Sequence, residues 1–172
     1  MAFWIVAIDH ELQLVQDPND PKHRAAQKEQ LEALLRTDIP ERGVRLIAEE
    51  SKLGRVTIAS ALADANNPPI PWKNIIMTNA ERAAAGILEA LRHRPGHPDY
   101  ATMQFWIECR IPEDEIRENF FVDETLRAVG ADAESILMLL GDMPVDAVGE
   151  RLLTAGHNVV SNHDLFPVRR WE

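Results

Sequence analysis

At 172 residues, with 45% hydrophobic and 27% charged side chains, the chain is long enough to bury a core and is expected to form one domain, 1–172. Its formal charge of −10 argues against nucleic acid as a partner, because such binding needs a basic surface to displace counterions. No stretch approaches the roughly 20 apolar residues of a membrane span, and the single cysteine, Cys109, excludes an intrachain disulfide and a cysteine-only metal site.

Residues 2–8 are a continuous apolar run, the pattern of a parallel strand covered on both faces. The run has no basic leader and passes directly into Asp9-His10, so it reads as the first strand of a cytoplasmic protein rather than as a signal sequence. Asp20 and Pro21 supply a helix start, and the helix is expected to reach Leu35 or Arg36. Leu31, Leu34 and Leu35 define its apolar face. Extended backwards by helical steps, that face reaches Gln27 and His23, which places a polar pair inward near the end of the first strand. A second strand is expected over 43–49, ending in the adjacent carboxylates Glu49 and Glu50.

Residues 55–65 read as a short helix stopped by Asn66-Asn67-Pro68-Pro69, and 75–77 as a third strand. Thr78 or Asn79 caps a helix carrying Ala83, Ile87, Leu88 and Leu91, which stops at Pro95-Gly96-His97-Pro98; His93 and His97 there read as ordinary surface. Residues 101–110 fit strand or helix equally. From Pro112 to about Val129 a helix is apolar on two arcs, which predicts cover on two sides. Arg117 lies between those arcs, so it should be partly buried, and a buried guanidinium needs an acidic partner or an anionic ligand. Residues 135–140 form a buried strand, Gly141-Asp142-Met143 a turn, and Pro144 opens a helix closed at Gly156; residues 158–160 give a last strand. This alternation predicts a three-layer α/β fold, a mostly parallel sheet with helices on both faces.

In such a sheet ligands bind at the carboxyl ends of the strands. Four groups converge there: His10, the His23/Gln27 pair, Glu49 or Glu50, and Arg117. An imidazole and a carboxylate at neighbouring strand ends can bind a metal or act as base and acid, and an arginine beside them can hold an oxyanion or order the carboxylate. The glycine-rich nucleotide loops, the Gly-x-Ser-x-Gly elbow and the His-Glu-x-x-His motif are all absent from the sequence.

The order of Asp9-His10, His23 and Gln27, Leu46-Ile47-Ala48-Glu49-Glu50, Glu81-Arg82 with Gly86-Ile87, Arg117-Glu118 and strand-Gly141-helix resembles small bacterial members of the superfamily that includes erythromycin esterases, haem-uptake ChaN-like lipoproteins and TraB/Tiki proteins. The resemblance spans about residues 2–160. It implies a cleft at the strand ends, with His10 matching the family's first histidine, Glu49 or Glu50 its acid and Arg117 its arginine, and with Glu118 adjoining. The pattern departs at Ala7, which replaces a glycine, and at Pro144, which stands where a second histidine belongs; His157 lies at the far end of the helix and does not substitute.

Two functions are therefore expected. One is a hydrolase acting on a small molecule or peptide, with Glu49 or Glu50, His10 and Arg117 catalytic, His23, Gln27 and Glu118 binding, and a divalent metal held by His10 and Glu49 as an option. The other is a non-catalytic binding or interaction domain that retains the cleft. Of the four tryptophans, Trp4, Trp72, Trp106 and Trp171, most are expected in the core rather than at an interface between copies.

Overall fold

Strands buried on both faces set the architecture. The computed structural model describes residues 1–10, 12–15, 25–87, 111–130 and 133–163. In chain order these form β1 (Ala2–Ala7), α1 (Ala25–Glu41), β2 (Leu46–Glu49), α2 (Ile58–Ala65), β3 (Trp72–Asn74), α3 (Asn79–Ala84), α4 (Ile111–Ala128), β4 (Ser135–Leu140), α5 (Asp142–Thr154) and β5 (Asn158–Asn162). The strands pair in the order β3-β2-β4-β1-β5, and every neighbouring pair is parallel.

Side chains alternate across the pleat, so each central strand feeds two cores. Phe3, Ile5 and Ala7 of β1, with Ile136, Met138 and Leu140 of β4, pack against Phe121 and Val122 of α4 and Val145, Val148 and Leu152 of α5. On the opposite face Val6, Ile47, Leu137 and Leu139 meet Leu31, Leu35 and Ile39 of α1 and Ile58, Ala59 and Ala63 of α2. The three-layer α/β arrangement follows. No helix among the described residues is long and apolar enough to cross a membrane.

Adjacent strands β1 and β4 send the chain to opposite faces, β1 toward α1 and β4 toward α5. Such a switch point leaves a crevice at the strand carboxyl ends. A strap crosses this end: Leu14 forms an antiparallel bridge with Thr57, and the Ile58 amide donates to the Gln13 carbonyl at 2.7 Å.

Several boundaries differ from the sequence reading. Helix α1 continues to Glu41 because Ile39 extends the buried row of Leu31 and Leu35 by one more step of four; its expected start at Asp20-Pro21 lies outside the described residues. Strand β2 begins at Leu46 rather than at residue 43. Strand β3 comprises Trp72–Asn74, not 75–77: Ile75 and Met77 are buried, but only after the chain has left the strand. Helix α3 stops at Ala84, well before Pro95, because Gly86 takes a φ of 76° and lets the amides of Gly86 and Ile87 bond back to the carbonyls of Ala83 and Arg82. Leu88, Leu91, His93, His97 and residues 101–110 lie outside the described residues.

Candidate active site at the strand carboxyl ends

The two glutamates at the end of β2 are adjacent in sequence and opposed in space. Glu49 shares the parity of Ile47 and turns toward α2, whereas Glu50 shares the parity of Leu46 and Ala48 and turns toward α4 and α5. Of the alternatives Glu49 or Glu50, it is Glu50 that faces His10 and Arg117.

Glu50 is the centre of the cleft, with its side chain only 3% exposed. Its Oε1 accepts from Arg117 Nη2 at 2.7 Å, and its Oε2 accepts from the Gly141 amide at 3.2 Å. His10 Nε2 stands 3.6 Å from the same Oε2. His10 Nδ1 lies 3.2 Å from Gln13 Oε1, and Gln13 Nε2 donates to the Glu50 backbone carbonyl at 2.9 Å. His10, Glu50 and Arg117, predicted on separate elements, thus meet through direct contacts of their side chains on Glu50.

Each partner is held by its element. Arg117 projects from the second turn of α4, where its guanidinium lies 5.7 Å from the centre of the Phe121 ring and its Nη1 donates to Asp114 at 3.3 Å. Its side chain is 25% exposed, the partial burial expected, and the acidic partners are Glu50 and Asp114. With two carboxylates around it, the Arg117 charge orders Glu50 rather than waiting for an oxyanion. Gly141 is the N-cap of α5 and has no side-chain cap of its own. The Glu50 carboxylate accepts instead from the amide of Gly141 itself, at a helix N-terminus that favours negative charge. A Cβ on Gly141 would come within 2.9 Å of His10 Nε2, so only glycine lets the imidazole approach this closely.

Glu49 serves the other face. Its Oε2 accepts from the Thr57 hydroxyl at 2.6 Å and from the Trp72 indole at 2.7 Å, while its Oε1 is buried without a hydrogen-bond partner. Burial pushes its carboxyl up to about 7, against the opposing pull of the Thr57 and Trp72 hydrogen bonds and the nearby His10. Thr57 is also the N-cap of α2, in a reciprocal capping box with Ser60. Glu49 therefore anchors a helix start and an indole.

A metal held by His10 and Glu49 together does not fit this arrangement. His10 meets Glu50 instead, and a cation there would compete with the guanidinium already bound to it. Among the described residues no group of three or more His, Cys, Asp or Glu side chains is placed to hold an ion. Glu118 is likewise outside the cleft: it accepts from Arg151 of α5 at 2.9 Å and ties α4 to α5, and burial raises its carboxyl above the usual range despite Arg151. Gln27 is half-buried in the first turn of α1, and His23 lies outside the described residues.

Sequence reasoning missed Gln13 and the close approach of Gly141. Gln13 carried no signal in the sequence, because what places it are long-range bonds to the Ile58 amide and the Glu50 carbonyl. No family model matches the chain, nor does any curated protein or solved structure.

Proposed function

We propose that the chain is a hydrolase in which His10 and Glu50 activate water at the switch point of the sheet. The observation that carries this reading is the 3.6 Å separation of His10 Nε2 and Glu50 Oε2, too long for a direct hydrogen bond and short enough for one water to reach both. His10 takes a proton from that water as its oxygen attacks, Glu50 stabilises the resulting imidazolium, and the proton passes to the departing group. Arg117, the Gly141 amide and Gln13 hold the pair in place. The resemblance to the erythromycin esterase, ChaN-like and TraB/Tiki superfamily belongs with this reading, reduced to its first histidine, acid and arginine.

The local charge favours a neutral substrate. Glu50 and Asp114 already offset Arg117, and the chain as a whole carries −10. A carboxylic ester or amide of a small molecule or peptide fits better than a phosphoester, which brings its own negative charge. The bond is hydrolysed without a metal, in keeping with the donor set.

One observation favours the second reading, a binding domain with a retained cleft. Both oxygens of Glu50 accept hydrogen bonds and its side chain is 3% exposed, as in a purely structural tie between β2, α4 and α5. A panel of chromogenic esters, amides and phosphoesters, with and without chelator, separates the two. Ester or amide turnover that is indifferent to chelator and falls on the order of 10²–10⁴-fold in His10→Asn, with circular dichroism unchanged, is expected. Absence of turnover across the panel would leave the binding domain as the function, and turnover that survives both His10→Asn and Glu50→Gln would put the chemistry away from this pair.

A further inference from the structure

Hydrogen-bond directions around Gln13 assign the proton on His10. The Glu50 backbone carbonyl only accepts, so the Gln13 atom 2.9 Å from it is the amide nitrogen. The other end of the carboxamide, an oxygen that also only accepts, then faces His10 Nδ1 at 3.2 Å. Nδ1 must carry the hydrogen. In the neutral ring the lone pair is left on Nε2, the nitrogen that faces Glu50 Oε2.

Gln13 has no alternative orientation. A flipped amide would set oxygen against oxygen at the Glu50 carbonyl, whichever nitrogen of His10 carries the hydrogen. Gln13 is 1% exposed, so water does not compensate a mismatch. Its backbone is pinned as well, because its carbonyl accepts from the Ile58 amide and the next residue bridges to Thr57.

We infer that Gln13 is a positioning residue that holds neutral His10 as the Nδ1–H tautomer, leaving Nε2 as the base in the cleft. Free histidine in water favours the opposite tautomer, so the preference must come from the protein. The catalytic consequence rests on the hydrolase reading; the tautomer is a property of the resting chain.

The test is a long-range ¹H–¹⁵N correlation spectrum of the histidine rings in the full-length chain, recorded at rising pH until the shifts stop moving. His10 signals, among those of 6 histidines, are identified by their loss in His10→Asn. A protonated, pyrrole-like Nδ1 and a bare, pyridine-like Nε2 are expected in the wild type. In Gln13→Met, which keeps the length and removes the acceptor, the pattern should move toward the opposite tautomer. A wild-type ring with hydrogen on Nε2 overturns the inference, as does an unchanged pattern in Gln13→Met. The wild-type spectrum decides even where the variant does not fold. A bare Nε2 in a chain that hydrolyses nothing would remove the hydrolase and keep the tautomer; hydrogen on Nε2 in an active chain would keep the hydrolysis and remove both the tautomer and Nε2 as its base.

Discussion

Glu49→Gln tests the energetics of the buried strand end most directly. The wild-type carboxyl is pushed by burial to about 7 from an ordinary 4.5. Between those values the folded chain holds a proton that the unfolded chain has released. The bound-proton difference is then about one in favour of the folded state, so wild-type stability falls with rising pH by about 1.4 kcal/mol per pH unit across that window. The contribution is fully present below about pH 4.5 and is lost once pH passes about 7, a total of about 3 kcal/mol as an order of magnitude. Glutamine keeps an oxygen for Thr57 and Trp72 and has no proton to lose. Urea unfolding of both proteins from pH 5 to pH 8, followed by far-ultraviolet circular dichroism, should show the variant gaining on the wild type as pH rises, by roughly 2–3 kcal/mol between the extremes. A difference that stays flat, or one that moves in favour of the wild type at high pH, would refute the reasoning: it would mean that the hydrogen bonds from Thr57 and Trp72 balance burial in the first case and outweigh it in the second.

Two further substitutions probe the cleft. Gly141→Ala places a Cβ 2.9 Å from His10 Nε2 at a backbone conformation, φ −57° and ψ 160°, that alanine adopts without strain. The half-exposed ring should swing aside, with stability changed by about 1 kcal/mol or less and ester or amide turnover lowered on the order of 10²-fold by the misplaced base; unchanged kcat/KM would put the chemistry elsewhere. In a double-mutant cycle of Glu50→Gln and Arg117→Met, read by chemical denaturation, the coupling should be about 2 kcal/mol. That is below the 3–5 kcal/mol cost of breaking a fully buried pair, because a quarter of the Arg117 side chain is exposed. Additive single effects would show that the 2.7 Å contact contributes nothing to stability.

The fold was legible where burial is complete. Strand β4 coincides with the expected residues 135–140, because six consecutive buried side chains leave one solution. Helix α4 is displaced by one residue from the expected span, and its two apolar arcs pack into a single core rather than under two covers. Strand β3 was misplaced for the opposite reason. Among the described residues it pairs only with β2, its three residues are half-buried, and Trp72-Lys73-Asn74 carries a weaker apolar signal than Ile75-Ile76-Met77 just beyond it.

The same physics divided the site. His10, Glu50 and Arg117 could be placed on one rim, because topology alone puts strand ends together. Which glutamate faces the rim depends on the phase of the pleat, and β2 is buried on both faces, so its sequence has no polar alternation to set that phase. Gln13 was invisible because it is positioned by the strap across α2, a long-range contact with no local pattern.

The strap has a consequence for how the molecule can vary. Glu49 binds the Thr57 hydroxyl, Ile58 binds the Gln13 carbonyl, and Gln13 binds the Glu50 carbonyl, a ring of hydrogen bonds that leaves β2 at one residue and returns at the next. Ser51 is clamped by Asn74 at the start of the following loop, and Thr57 closes its other end. Whereas the Val56 carbonyl accepts from the Val15 amide of the strap at 3.3 Å, residues 52–55 hang outside that ring, all exposed. Their ends are fixed by contacts that do not involve them, so this segment is where the chain can be lengthened, shortened or rewritten beside the cleft without moving His10 or Glu50.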